Sequence, residues 1–231
     1  MSWREESAVV IERCRGLKGE IQLQKRGSDF EIIYNGVFLM ATYNGASEKA
    51  AVRKSLHLAS RYYHDSLRVL MGGLGVGFSL QEALSQANVS YVAVAEIESK
   101  IIRWNREHLT AINNNALFDK RIEIFNGDFR LILEKEAEKT KKLPDQRYHV
   151  VMVDTDNGSC WLSLPDNSFF YQEEGLRLIN RILYPKGIAC FWCSYQETSF
   201  ERRLKKTFYR VSFNSELEKT GQVGCYYLAQ S

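Results

Sequence analysis

The chain has 231 residues, of which 45% are apolar and 26% charged, and this balance indicates one globular domain with a small appendage. The net charge is only +3, and the chain lacks the basic stripe typical of nucleic-acid binding, so we expect no nucleic-acid partner. No apolar run is long enough to span a bilayer, so no membrane association is expected. Five cysteines without a regular framework, and charges where a signal peptide needs its apolar block, lead us to expect a cytoplasmic protein.

The first part of the chain is rich in β-forming residues. Residues 19–43 contain β-rich runs broken by the turn sequences RGSD and YNG, which predicts a hairpin or a small sheet. We therefore expect a β-rich segment over residues 1–46. Residues 47–63 place Val52, Leu56 and Ala59 near one face of a helix, which begins the second part of the chain.

Strands and helices alternate from residue 68 onward. Apolar runs predict strands at 68–73, 91–98, 121–128, 148–156 and 187–195. Helices are predicted at 79–87, 99–112, 129–139, 167–183 and 199–208, and Ser79 and Glu82 have the spacing of a capping box at the first of them. Two final β-rich runs, 210–217 and 224–231, predict an antiparallel hairpin. The expected fold is α/β, with a mostly parallel sheet covered by helices on both faces.

A glycine cluster separates the first of these strands from its helix. Gly73, Gly75 and Gly77 form a G-x-G-x-G pattern, and such a turn lets the backbone approach a ligand closely. The dinucleotide fingerprint has its third glycine one place later, where this chain has Phe78. The pattern therefore disfavours a nicotinamide-dependent oxidoreductase and favours another nucleoside ligand.

Acidic residues follow at the ends of the next two strands. Glu96 is placed to accept hydrogen bonds from both ribose hydroxyls, with Glu98 as the second candidate. Asp128 is placed to accept a hydrogen bond from an adenine amino group, and Phe129 to pack beside the base. Because ligands of open α/β sheets lie beyond the carboxyl ends of the strands, these residues predict an adenosine-type ligand.

Asp154 and Asp156 follow the fourth strand. Residues two apart on a strand point to the same face, so both carboxylates face one space if the strand continues through residue 156. There they would attract a cationic amine, and one would act as its general base. The alternative is that one of them caps the following loop. That loop, 157–171, is long and aromatic, and Trp161 and Tyr171 are candidates either for a substrate wall or for the core of the loop.

No metal site is predicted. Cys190 and Cys193 form a C-x-x-C pair, but the pair lies inside an apolar strand and has no second pair to complete a zinc site. The four histidines show no ligand spacing. We therefore expect the cysteines to be buried strand residues and the protein to need no metal.

The motifs resemble the class I S-adenosylmethionine-dependent methyltransferase fold and, more narrowly, the spermidine synthase (polyamine aminopropyltransferase) family. The resemblance runs from about residue 19 to the end and rests on VLMGGLGVGFSLQEAL, VAVAEIE, IEIFNGDF, YHVVMVDTD with FFYQEEGLRLINRILYPKGI, and NGVFLM. It implies a Rossmann-like fold with a small N-terminal β-rich segment, the nucleoside-binding domain spanning 47–231. It also implies S-adenosylmethionine or its decarboxylated form as co-substrate and a small amine-bearing acceptor, and it suggests a homodimer.

The chain departs from the family around the transferred group. The family carries an acid inside the glycine loop that anchors the amino group of the aminopropyl chain, and Val76 stands at that position. The family's Tyr-His-Glu falls on residues 51–53, and its D-x-x-D is one residue tighter here, at Asp154 and Asp156. Aminopropyl transfer and methyl transfer therefore both stay open. The alternative function is a non-catalytic protein that binds an adenosyl ligand or a polyamine.

Overall fold

The computed structural model describes residues 7–17, 19–156, 158–160 and 162–231. A four-stranded antiparallel sheet comes first, formed by β1 (Val9–Gly16), β2 (Gly19–Arg26), β3 (Asp29–Tyr34) and β4 (Val37–Ala41) in that order. Only its first strand was not singled out by the sequence. The sequence of β1, VVIERCRG, does not alternate apolar with polar residues, and it is this alternation that reveals a half-buried strand.

The rest of the chain alternates helices with the strands of a second sheet. The helices are α1 (Ala46–Ala59), α2 (Phe78–Ser85), α3 (Ser99–Glu107), α4 (Phe129–Lys142), α5 (Glu173–Ile182) and α6 (Thr198–Thr207). The strands are β5 (Leu67–Gly72), β6 (Val89–Glu96), β7 (Ile122–Asn126), β8 (Tyr148–Val153), β9 (Leu183–Cys193), β10 (Arg210–Leu217) and β11 (Val223–Gln230). None of the described helices is long and apolar enough to cross a membrane.

The second sheet has the strand order β10-β11-β9-β8-β5-β6-β7. Strands β5 to β9 pair in parallel, and β11 pairs antiparallel with both β9 and β10, which confirms the mostly parallel sheet and the closing hairpin. The chain moves outward from β5 through β6 and β7, and then returns to β8 on the other side of β5. This reversal opens a crevice at the carboxyl ends of β5 and β8, where ligands of such sheets bind.

Two apolar cores cover the two faces of this sheet. One contains residues of α1, α2 and α3, and it also takes in Ile21, Leu23 and Ile32 of the small sheet. The other contains residues of α4, α5 and α6. The small sheet therefore shares a core with the second sheet, and the division of the chain at residue 46 stays a prediction.

The structure corrects two local predictions. Ser79 and Glu82 do not form a capping box, because the residue that precedes α2 is Gly77, without a side-chain cap. The Ser79 hydroxyl instead donates to Asp154 at 3.5 Å, and Glu82 pairs with Arg53 at 2.9 Å. The helix predicted over 167–183 divides into a 3₁₀ turn at Pro165–Tyr171 and α5, because the backbone between them is extended.

Candidate active site

A cavity of about 510 Å³ lies at the carboxyl ends of β5, β6, β7 and β8. Residues of the small sheet, from Tyr34 to Met40, form part of its wall, and residues 162–164 form another part. Eight of the residues that the sequence singled out line it: Gly73, Gly75, Glu96, Glu98, Asp128, Phe129, Asp154 and Asp156. The separate strand ends thus contribute to a single space.

Two of the three glycines line the cavity, and each lies too close to a neighbouring residue to carry a side chain. The backbone of Gly73 has φ +99°, and a Cβ there would lie 2.3 Å from the carbonyl oxygen of Asp154. The backbone of Gly75 has φ +54°, and a Cβ there would lie 2.5 Å from the sulfur of Met40. Both positions favour glycine for conformation as well as for close approach.

Gly77 serves the start of α2. It precedes that helix with φ +88°, and a Cβ there would lie 2.8 Å from Oδ1 of Asn105, which packs from α3. Gly77 is absent from the described residues that line the cavity. In the structure it positions the start of α2.

Glu96 ties the glycine loop to the end of β6. Its carboxylate accepts hydrogen bonds from the backbone N–H of Leu74 at 3.0 Å and of Glu98 at 2.8 Å. Burial raises the pKa of Glu96. Because a carboxylate oxygen can accept more than one hydrogen bond, these contacts are compatible with further bonds to a ligand. Glu98 also lines the cavity and accepts a bond from the N–H of Leu17 at 2.7 Å.

Asp128 and Phe129 begin α4. Asp128 is the N-cap, and its Oδ1 accepts a hydrogen bond from the N–H of Arg130 at 2.8 Å. Phe129 is buried, and its ring packs over the backbone of Gly72, where a Cβ would lie 2.3 Å from the ring. Both residues border the cavity. Asp128 therefore caps α4 and also lies where the sequence predicts the adenine base.

Asp154 and Asp156 both reach the cavity, although β8 ends before them, at Val153. The N–H of Asp154 still bonds to the carbonyl of Gly72 at 2.9 Å, but β5 ends at Gly72 and the backbone turns at Gly73, where φ is +99°. Burial, followed by the charge of Glu48, raises the pKa of Asp154 to about 8. Burial also raises the pKa of Asp156.

The two aspartates differ in their hydrogen bonds. Asp154 has the long contact from Ser79, whereas Oδ1 of Asp156 accepts bonds from the N–H of Ser163 at 2.6 Å and from Asn167 at 2.9 Å. Oδ2 of Asp156 accepts a bond from the hydroxyl of Thr155 at 2.8 Å. Asp156 thus holds the following loop in place, as the capping alternative predicts for one of the pair.

The two aromatic candidates have different outcomes. Trp161 lies outside the described residues. Tyr171 is only 1% exposed and does not belong to the described lining of the cavity. Its hydroxyl lies 3.3 Å from Oδ2 of Asp156, so Tyr171 stands behind the site instead of in its wall.

Glu48, in the first turn of α1, is a lining residue that the sequence did not reveal. Its Oε2 accepts a hydrogen bond from the hydroxyl of Ser47 at 2.7 Å, and Trp192, which also lines the cavity, donates to that hydroxyl at 2.9 Å. An acid in the first turn is common in helices, so the local sequence carries no signal that this one faces a site.

The charged side chains that line the described part of the cavity are all acidic. Six acidic residues line it, namely Glu48, Glu96, Glu98, Asp128, Asp154 and Asp156, and its described lining contains no Lys, Arg or His. No group of three His, Cys, Asp or Glu residues that could hold a metal ion occurs in the described part of the chain. The cavity is therefore suited to a cationic ligand.

Known proteins resemble the chain in sequence. A polyamine aminopropyltransferase of Prochlorococcus marinus (strain MIT 9301) is 29% identical over 182 residues, which cover 75% of this chain and 60% of that relative. A spermine synthase of Saccharomyces cerevisiae is 26% identical over 167 residues, covering 69% of this chain and 52% of the relative. The chain thus matches little more than half the length of these two relatives. No protein-family model matches it.

Solved structures resemble it in fold. Spermidine synthase from Thermotoga maritima superposes with a TM-score of 0.71 at 16% identity, covering 96% of this chain and 72% of that one. A spermidine synthase in complex with the transition state analogue AdoDATO gives a TM-score of 0.70 at 17% identity, with the same coverage. The resemblance seen in the sequence motifs is confirmed: the chain is similar in sequence to polyamine aminopropyltransferases and a spermine synthase, and it shares the fold of spermidine synthase.

Proposed function

We propose that the chain transfers an aminopropyl group from decarboxylated S-adenosylmethionine to a small amine acceptor. The observation that carries this proposal is the acid-lined cavity beside the glycine loop, because both reactants are cations. The relatives named polyamine aminopropyltransferase and spermine synthase support the same reaction.

The charge of the cavity favours the decarboxylated co-substrate over the intact one. Intact S-adenosylmethionine carries a carboxylate, which would meet six acidic residues and no basic side chain in the described lining. Burying that carboxylate without a cationic partner is costly. Aminopropyl transfer therefore has better support than methyl transfer.

The reaction is a displacement at carbon. The neutral nitrogen of the acceptor attacks the aminopropyl carbon bonded to the sulfonium sulfur, and the C–N bond forms as the C–S bond breaks. The electron pair of the broken bond stays on sulfur, which leaves methylthioadenosine as a neutral thioether. The protein mainly aligns the two reactants, and a carboxylate takes the proton that the nitrogen loses.

Asp154 is our candidate for that carboxylate. It stands beside Gly73, and its pKa of about 8 suits the removal of a proton near neutral pH. Asp156 is already bonded to Ser163 and Asn167, so we assign it to the position of the loop and to the negative charge of the cavity. Gly73, Gly75, Glu96, Asp128 and Phe129 are proposed to hold the nucleoside.

The test is a turnover assay on the purified chain. Decarboxylated S-adenosylmethionine is supplied with putrescine or spermidine, and release of methylthioadenosine is measured. We expect product only when both reactants are present, and a loss of at least about 100-fold in Asp154→Asn. Glu107→Gln, at an exposed position at the end of α3, is the matched control and should keep full activity.

Other results of this assay would contradict the proposal. Turnover of intact S-adenosylmethionine to S-adenosylhomocysteine would establish methyl transfer instead. Saturable binding of the adenosyl ligand without turnover of any amine would leave the non-catalytic alternative. The homodimer and the cytoplasmic location stay predictions.

A further inference from the structure

Glu48 is not needed to cap the helix on which it stands. The N-terminus of α1 is held by Glu218, which follows β10 and is only 7% exposed. Its carboxylate accepts hydrogen bonds from the backbone N–H groups of Gly45, Ala46 and Ser47 at 2.8, 2.9 and 2.8 Å. These are the donors that a capping side chain normally satisfies. The carboxylate of Glu48 takes none of these three donors; it accepts hydrogen bonds from its own backbone N–H and from the hydroxyl of Ser47, and it borders the cavity.

The neighbours of Glu48 fix its direction. A hydroxyl has one hydrogen, and Ser47 uses it to donate to Glu48 while accepting a bond from the indole N–H of Trp192. The next residue, Lys49, has its ammonium 4.5 Å from the centre of the Phe78 ring. Glu48 is thus held by Ser47, which is itself held by Trp192 of β9. The adjacent Lys49 interacts with the ring of Phe78.

Glu48 shares its part of the cavity with Asp154. Burial is the main cause that raises the pKa of Glu48, and its charge in turn raises the pKa of Asp154. Two carboxylates that face one partly dehydrated space repel each other, and the described lining supplies no basic side chain to compensate them. A ligand cation placed beside them would relieve that repulsion.

The order of the strands indicates which cationic group of the co-substrate lies beside Glu48 and Asp154. The nucleoside end of the co-substrate is assigned to the ends of β6 and β7, on one side of the glycine loop. On the other side, Asp154 follows β8 next to Gly73, with Glu48 close to it. A short chain that leaves the sulfonium there meets these two carboxylates. Val76, at the loop position where the family has an acid, is fully buried and outside the described lining.

We propose that Glu48 binds the terminal ammonium of the transferred aminopropyl group and thereby selects the decarboxylated co-substrate. This inference rests on the proposed function. It assigns to Glu48 a role in binding the group that moves, while Asp154 receives the proton from the acceptor. Selection follows because the carboxylate of the intact co-substrate would be carried on the same short chain and would be repelled by Glu48.

The test compares two ligands that differ in the aminopropyl chain. Decarboxylated S-adenosylmethionine and methylthioadenosine are titrated by calorimetry into the wild type, Glu48→Gln and the control Glu107→Gln. We expect Glu48→Gln to weaken the first ligand by at least about tenfold, the loss expected for one charged hydrogen bond, and the second by less than about twofold. Glu107→Gln should change neither affinity.

Three results would overturn the inference. Glu48→Gln could bind the decarboxylated ligand as tightly as the wild type, or could lose both ligands equally, which would indicate a structural role. It could also raise KM for the acceptor amine without changing the affinity for the decarboxylated ligand, which would place the acceptor at Glu48. A wild type that binds neither ligand would contradict the proposed function itself.

A second variant distinguishes the loss of the charge from a loss of folding. Glu48→Asp keeps the charge and withdraws it by one methylene, so the affinity for the decarboxylated ligand should lie between those of the wild type and Glu48→Gln. Thermal unfolding followed by circular dichroism reports whether each variant is folded. Equal affinities of Glu48→Asp and Glu48→Gln, both folded, would mean that the charge of residue 48 does not act on the ligand.

Discussion

The hydroxyl of Tyr171 lies 3.3 Å from Oδ2 of Asp156, although Tyr171 is itself almost fully buried. Its ring packs against Phe200 and Phe191, with ring centres 5.2 and 6.5 Å away. Tyr171 therefore connects the apolar core under α6 to a carboxylate of the cavity. We infer that it acts on a substrate only through the position and the pKa of Asp156.

Tyr171→Phe should test this connection, because it removes the hydroxyl and keeps the ring in the core. Asp156 then loses a donor that stabilises its charged form, so its pKa should rise further. We expect a loss of stability of about 1 kcal/mol in urea unfolding. The part of the kcat/KM profile that reports the ionisation of Asp156 should move to higher pH. An unchanged profile would show that the hydroxyl does not influence the site.

Asp154→Asn should change how the stability of the unliganded protein depends on pH. The pKa of Asp154 is raised from 3.8 to about 8, so its protonated form favours the folded state. That contribution is fully present below about pH 4 and is lost as the pH rises towards 8. The variant cannot ionise there, so its stability should fall less between pH 5 and pH 8.

The measurement is urea unfolding of both proteins at several pH values without ligand. At pH 8 the variant should be more stable than the wild type by about 1 kcal/mol or more, since one unit of pKa shift corresponds to about that free energy. Parallel curves for the two proteins would mean that Asp154 titrates in the folded protein as it does in the unfolded chain.

The fold could be predicted from the sequence because buried parallel strands give nearly continuous apolar runs. The runs at residues 68–73, 91–98 and 121–128 match β5, β6 and β7 closely. Glu96 and Asp128 could be singled out because each stands at or near the end of such a run. The sequence could not show that β8 stops at Val153, since Val153 pairs with Gly72, the last residue of β5, and this pairing is visible only in the fold.

The part of the site that escaped prediction depends on contacts distant in sequence. Glu48 looks like an ordinary first-turn acid until Glu218, 170 residues later in the chain, is seen to cap the same helix. Tyr171 looks like a loop aromatic until its hydroxyl is seen beside Asp156. Local patterns identify strand ends, but they do not reveal which side chains the tertiary fold brings to them.

Gly73→Ala should disrupt both folding and binding. The new Cβ would lie 2.3 Å from the carbonyl oxygen of Asp154, and the backbone has φ +99°. Gly221→Ala is the matched control, because Gly221 has φ +83° but no atom within 4 Å of a Cβ. We expect Gly221→Ala to lose about 1–2 kcal/mol from backbone strain alone, and Gly73→Ala to lose more and to bind methylthioadenosine more weakly. Equal losses in urea unfolding would mean that the contact with Asp154 relaxes without cost.

Glu218→Gln should weaken the anchorage of α1 without touching the cavity directly. Burial alone would raise the pKa of Glu218, but the hydrogen bonds from Ser47, Gly45 and Ala46 outweigh it and lower the pKa. The charged form therefore stabilises the fold above the ordinary pKa of about 4.5, and this contribution is lost as the pH falls through the lowered value.

The substitution removes the charge and replaces one acceptor oxygen by a donor, which must face backbone N–H groups. We expect a loss of about 1–2 kcal/mol in urea unfolding at pH 7, and a smaller difference from the wild type at a second, acidic pH that is low enough to protonate part of the wild-type carboxylate. Glu134→Gln, on the exposed face of α4, is the control and should change stability by less than about 0.5 kcal/mol. A difference between Glu218→Gln and the wild type that is equally large at both pH values would mean that the shape of the side chain, and not its charge, holds the helix.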